Sequence, residues 1–279
     1  MNDRPFTERP GTAAPETLLA RRRAAPPPTE PLVSLGGTPT LVIGSPDALR
    51  TIFYLHGGAF RGGSAGTSEP FLRQLAEAAG SRIIAPDYRL APEHPFPAAL
   101  NDALAAYSAF ERGPGPVILL GDSAGGGLVA SLLLVLVERG TAPDAAILFS
   151  PWLDLRLENG SIEENAETEQ LFPPASARDA AQMYLAGHPA DDPRVSPILG
   201  DWTGAPPLHV QASATEILRD DARALVAEAR RRGVLVDAVE ADDERHVWQV
   251  DFPATEASRV AIQRVVEFLD RLGSTSPTE

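Results

Sequence analysis

VILLGDSAGGGLVASLLLVLVERG, from Val117 to Gly140, is the stretch whose reading decides the fold. Its first four residues, Val117 to Leu120, are all apolar and follow the breakers Gly113-Pro114-Gly115-Pro116, which predicts a buried strand. Further on, Leu128, Val129, Leu132, Leu133, Val135, Leu136 and Val137 occupy nearly every face of a helix, so that helix should be deeply buried. Between the two, Ser123 alone turns the corner, flanked by Gly121 and Gly125 in a G-x-S-x-G pattern. A strand running straight into a helix strains the corner residue, and neighbours without side chains let the two elements approach closely. The hydroxyl then projects above the sheet at a helix N-terminus, where N–H groups and the helix dipole favour negative charge. Ser123 is the candidate nucleophile.

Outward from this corner, apolar runs alternate with helical patterns. Leu32–Leu35 and Thr40–Ile43 read as an antiparallel pair joined at Gly36-Gly37, and Thr51–Leu55 as a strand running into His56-Gly57-Gly58. Ser68–Ala79 and Ala98–Glu111 read as helices around the strand Arg82–Ala85, and Ala145–Phe149 as a strand after the serine helix. Strand Leu208–Gln211, helix Asp221–Arg232, strand Val234–Val239 and an amphipathic helix Thr255–Leu272 complete the series. Alternation of this kind implies βαβ units and a mostly parallel central sheet flanked by helices. The segment 156–206 breaks the rhythm, with helical pieces Ser161–Glu169 and Ala175–Ala186 set between prolines, and reads as an insertion over one end of the sheet. Residues 1–30 are rich in Pro, Arg and Ala, with a short helix only around Glu16–Arg23. The expected organisation is one α/β domain over 1–279 with a helical cap built from 1–45 and 156–206.

Composition narrows the chemistry. A net charge of −14 leaves no basic face for nucleic acid and disfavours anionic membranes; Arg21-Arg22-Arg23 reads as a solvated helix end. There is no cysteine, so disulfides, thiolate metal sites and cysteine nucleophiles are excluded. There is no lysine either, which removes Schiff-base, Ser-Lys and Walker chemistry. Without G-x-G-x-x-G or H-E-x-x-H, no cofactor and no metal are expected. Ala13 to Ala20 is interrupted by Pro15 and Glu16, so no signal core forms there, and the longest apolar run is too short to span a bilayer. A cytoplasmic protein is the expectation.

A serine hydroxyl needs a base, itself oriented by a carboxylate. Of five histidines, His56 belongs to the glycine loop, His94 to a Pro-rich turn, His188 to the insertion and His209 to a core strand. His246 follows the last strand, in ADDERHVW, where a loop opens on the carboxyl edge of the sheet. For the acid, the chain order Ser, Asp/Glu, His points to ATEILRDD after Leu208–Gln211. Glu216 lies nearest the strand end and is favoured; Asp220 and Asp221 come one helical turn later, and Asp220 also suits a helix cap. Backbone N–H groups of Gly57 and Gly58, with that of Ala124, are the expected oxyanion donors.

HGGAF from His56, DYRLAPEHPFPAAL from Asp87, GDSAGG from Gly121, SPWLDL from Ser150, DPRVSP from Asp192, EILRDD from Glu216 and HVW from His246 together resemble the hormone-sensitive-lipase-like branch of the α/β-hydrolase fold, the bacterial family IV carboxylesterases. The resemblance runs in family order over most of the chain beyond residue 50. It implies a serine carboxylesterase for short- to medium-chain acyl esters. Ser123, Glu216 and His246 align with its triad, and Gly57, Gly58 and Ala124 with its oxyanion hole. It further implies that Tyr88, Arg89 and Glu93 brace the site loops, that Asp122 and Asp154 are structural, and, by analogy alone, a homodimer. Two departures stand out: the family's HGGG is HGGA here, where the Ala59 methyl narrows the room for bulky alcohols, and the acid is Glu where many relatives have Asp. A lactonase or acyltransferase would use the same triad. A non-catalytic ligand receptor on this fold could dispense with it, whereas here all three members are present.

Overall fold

Side-chain alternation along the strands sorts the apolar residues into two sets. In the computed structural model the described residues are 27–274; the expected helix around Glu16–Arg23 lies outside them. Eight strands form one sheet: β1 Val33–Leu35, β2 Thr38–Ile43, β3 Arg50–Leu55, β4 Ser81–Pro86, β5 Val117–Asp122, β6 Ala145–Phe149, β7 Leu208–Ser213 and β8 Val236–Ala241. Their order is β1-β2-β4-β3-β5-β6-β7-β8, antiparallel at β1/β2 and β2/β4 and parallel elsewhere. The helices are α1 Ala65–Ala79, α2 Ala98–Ala109, α3 Ala124–Glu138, α4 Ser161–Glu164, α5 Pro174–Leu185, α6 Arg219–Arg231 and α7 Glu256–Ser274.

On β5, Val117 and Leu119 join the core cluster that holds α2, α3 and α6, while Ile118 and Leu120 join the cluster built with Phe71 and Leu72 of α1 and Val265 and Phe268 of α7. Both faces of the sheet are thus covered, as a parallel sheet requires. Helix α3 runs through the larger cluster with Leu128, Val129, Leu132, Leu133 and Leu136 buried. Each such side chain contributes roughly 1.5–3 kcal/mol on burial, enough to offset a strained corner at the helix start. The chain leaves β3 for β4 on one side and later returns to β5 on the other. Where strand order reverses in this way, the loops at the carboxyl ends diverge and leave a crevice.

Two boundaries differ from expectation because hydrogen bonds at the helix ends move them. Helix α1 begins at Ala65 rather than Ser68 because Ser64 Oγ accepts from Thr67 N (3.0 Å) and Asp87 accepts from Ala65 N (2.5 Å). Strand β8 begins two residues late, since Val234 N closes the end of α6 on Ala229 O (3.0 Å). One expectation is corrected. Residues 33–43, counted within the cap as 1–45, belong to the sheet, because β2 pairs with β4 from Thr40↔Pro86 to Ile43↔Ile83. Just before them, Thr29 bonds to Glu69 and Glu30 pairs with Arg73, both on α1. The insertion carries α4, α5 and a 3₁₀ turn at Pro197–Leu199. Among the described residues no helix is long and apolar enough to cross a membrane.

Candidate active site

Ser123 sits between β5 and α3 at φ +53° and ψ −123°. A non-glycine residue there costs about 1–3 kcal/mol and persists only where its surroundings hold it. They do so through close backbone packing. A Cβ on Gly125 would come within 2.1 Å of Leu55 O, and one on Gly121 within 2.4 Å of Gly125 O. The serine carbonyl accepts from Gly127 N (3.1 Å) and Trp152 N (3.0 Å), which anchors the corner from both sides.

The loops after β7 and β8 bring the other candidates to this hydroxyl. His246 Nε2 lies 2.9 Å from Ser123 Oγ, and His246 Nδ1 lies 2.7 Å from Glu216 Oε2. All three residues are buried. The remaining oxygen, Glu216 Oε1, accepts from Ser213 N (3.1 Å). The two loops are tied together, since Ser213 Oγ and Thr215 Oγ1 both donate to Glu244 O (2.5 and 3.1 Å). Burial opposes charge on His246, but the hydrogen bond and charge of Glu216, with smaller contributions from the Glu169 and Asp122 carboxylates, more than offset it. Its pKa is therefore raised above the ordinary histidine value.

Neither alternative acid reaches the histidine. Asp220 accepts from Ser161 N (2.9 Å) and pairs with Arg219 (2.8 Å). Asp221 accepts from Leu153 N, Asp154 N and Asn159 Nδ2 at 2.7, 3.0 and 2.5 Å. Burial, with the Asp154 charge adding to it, pushes its carboxyl up to about 7. Other histidines are engaged elsewhere. His56 stacks on Tyr88, with centroids 4.2 Å apart, His188 pairs with Asp192 (2.8 Å), and His209 pairs with Asp237 (3.2 Å).

The glycine loop requires a correction. Gly57, expected as an oxyanion donor, gives its N–H to Asp122 Oδ1 (3.0 Å), an oxygen that also accepts from Tyr54 Oη (2.5 Å). The cause is the residue preceding the nucleophile. Its buried carboxylate lies under the loop, so close that a Cβ on Gly57 would fall within 2.1 Å of Oδ2. Among the described residues, the N–H groups of Gly58, Ala59 and Ala124 donate to no other atom. Ala59 takes a left-handed φ of +57°, and Tyr88 Oη donates to His56 O (2.6 Å), which braces the loop from behind.

A cavity of about 240 Å³ opens onto these groups. Ser123, His246, Gly58 and Ala59 form its reactive side; Phe71, Leu171, Phe172, Val250 and Phe252 supply apolar walls, and Thr67 and Ser68 supply hydroxyls. These wall residues come from three separate segments, and no local pattern in the sequence marks them. Among the described residues no three His, Asp or Glu side chains converge as metal ligands would.

The α/β-hydrolase fold family matches residues 52–250, and the chain belongs to it, on the hormone-sensitive-lipase-like branch. An acetyl-hydrolase of Streptomyces hygroscopicus is 43% identical over 224 residues, covering 79% of this chain and 75% of that protein. An esterase of Acinetobacter venetianus is 37% identical over 194 residues, covering 68% of this chain and 64% of that protein. Among solved structures, an esterase from the bacterial hormone-sensitive lipase family superposes with a TM-score of 0.84 at 36% identity, covering 96% of this chain and 93% of that one. EstE5, soaked with p-nitrophenyl butyrate, gives a TM-score of 0.85 at 33% identity over 97% and 95% of the two chains.

Proposed function

We propose that this chain is a serine carboxylesterase acting on small-molecule esters with short acyl groups through an acyl-enzyme intermediate. The observation that carries this reading is the continuous hydrogen-bonded line Ser123 Oγ, His246, Glu216, with contacts of 2.9 and 2.7 Å. In the first half-reaction His246 Nε2 takes the hydroxyl proton as Ser123 Oγ attacks the ester carbonyl. The resulting oxyanion accepts from the N–H groups of Gly58, Ala59 and Ala124, and each such donor is worth roughly 3–4 kcal/mol in the transition state. The imidazolium, stabilised by Glu216, then protonates the departing alkoxide. Water repeats the sequence on the acyl-enzyme, with His246 again as base and Ser123 regenerated. Asp122 holds Gly57, and through it the donor loop. Burst kinetics on p-nitrophenyl acetate test the reading: a fast acylation burst followed by slower turnover is expected.

Only neutral imidazole accepts the serine proton, so kcat/KM rises with pH through a limb set by His246. Because the pKa of His246 is raised, that limb is expected above the unperturbed value of about 6.5. A pH profile already flat at 6.5 contradicts the assignment. The same shift links to stability. It contributes fully below the unfolded-state pKa and is lost as pH rises through the folded one.

The proposed cap is the segment 156–206 together with the residues ahead of Val33. With a cavity of about 240 Å³, below the usual range of ligand pockets, compact acyl groups are expected to be preferred. On a p-nitrophenyl ester series, kcat/KM for acetate or butyrate is expected to exceed that for decanoate by at least about tenfold. Deletion of residues 1–30 is expected to shift this profile. Selectivity that is flat with chain length counts against this cavity as the acyl site, and an unaltered profile after the deletion removes the N-terminus from the cap.

A further inference from the structure

The loop that carries Glu216 runs from the end of β7 to the start of α6, and side chains of the insertion hold four of its consecutive carbonyls. Ser161 Oγ donates to Ile217 O (2.7 Å), and Thr168 Oγ1 donates to Thr215 O (2.8 Å). Between them Asn165 Nδ2 donates to both Ala214 O (2.9 Å) and Glu216 O (2.8 Å). These three residues stand at i, i+4 and i+7, on one side of α4 and the turns that continue it. Ser161 and Asn165 are buried. One residue on, Glu169 joins the same loop to the cavity wall: Oε2 accepts from Ile217 N (3.2 Å), while Oε1 accepts from Leu171 N (2.8 Å) and Phe172 N (2.9 Å).

Beyond the bond from Arg219 N to Glu216 O (3.3 Å), these carbonyls find their partners in the insertion, and such partners decide where a loop backbone sits. We infer that residues 161–169 are a positioning device for the catalytic acid, with Asn165 its central member. They fix the loop backbone so that Glu216 keeps its bond to His246 while Leu171 and Phe172 close the cavity. The inference rests on Glu216 being the acid. It gives the insertion a part in alignment of the triad as well as in covering the cleft.

Three carboxylates favour the charged form of His246: Glu216 by direct contact, and Glu169 and Asp122 by their charge. Asn165→Leu removes both donors at similar volume, adds no charge and leaves those three in place; Thr168→Val is the milder variant should the first fail to fold. Both are to be measured for kcat, KM, the pH limb of kcat/KM on p-nitrophenyl acetate and melting temperature, alone and combined with Glu216→Gln. The expected result for Asn165→Leu is a kcat lower by about tenfold to a hundredfold, with KM within about twofold, as for a misplaced catalytic group. The pH limb moves down towards about 6.5 as the Glu216 contact loosens. Thr168→Val moves both in the same direction by less. In the Glu216→Gln background neither substitution lowers kcat further, because both act through the missing carboxylate. A lower melting temperature with kcat and the pH limb unchanged overturns the inference and leaves these contacts as a structural brace. Wild-type turnover in Glu216→Gln alone overturns the acid assignment instead.

Discussion

Ser123→Ala is expected to lower ester turnover by about 10⁶ while the protein still folds, and His246→Ala to do the same. The two side chains work as a unit, since the hydroxyl reacts only as its proton passes to Nε2 over the 2.9 Å contact. The double variant should therefore cost no more than either single one. What survives, roughly 10³–10⁴ over water, comes from the N–H donors and from substrate binding, which neither substitution touches. Stability should change little for Ser123→Ala. The corner at φ +53° is held by backbone contacts from Gly127 and Trp152 to the serine carbonyl, and alanine retains these. Single-turnover kinetics on p-nitrophenyl acetate with a thermal melt provide the check. A stoichiometric burst of p-nitrophenol from Ser123→Ala would mean that another group is acylated.

What could be read from the chain alone followed the range of the interactions involved. Ser123 was legible because a strand, a corner and a buried helix are adjacent in sequence and the glycines that permit them flank the serine. His246 was legible by elimination among five histidines. The parallel sheet followed from apolar runs alternating with helical patterns. Gly57 reads as an oxyanion donor in the sequence, but its N–H partner, Asp122, lies 65 residues away, and a glycine loop gives no sign of which N–H turns inward. The stretch 33–43 reads both as strands and as part of the cap, and only pairing with β4 resolves the two. Asn165 was invisible for a similar reason. Its spacing from Ser161 and Thr168 can be read, but the carbonyls it meets are about fifty residues on, in a loop without a pattern. Leu171, Phe172 and Phe252 converge on one cavity from different segments, which no local periodicity encodes.

Glu216→Gln is expected to cost about 10⁴ in kcat, less than loss of the serine or histidine and far more than Asp220→Asn. The amide preserves size and can still meet Nδ1 at a distance near 2.7 Å, but it carries no charge. Two consequences follow. The amide can present an N–H to Nδ1, which selects the imidazole tautomer whose proton sits on Nε2, where the serine proton has to go. The imidazolium formed in the transition state also loses its counter-charge in a fully buried setting, where little water can replace it. The pH limb should fall as well, since the hydrogen bond and charge of Glu216 are what lift the pKa of His246 against the effect of burial. Asp220 makes no contact with the histidine and is tied to Ser161 and Arg219, so its neutral variant should remain within about tenfold of wild type and should not move the limb. The two variants, measured side by side for kcat and pH profile, separate the candidates. If Asp220→Asn proved the more damaging of the two, with the limb displaced, the acid would have to be reassigned to Asp220.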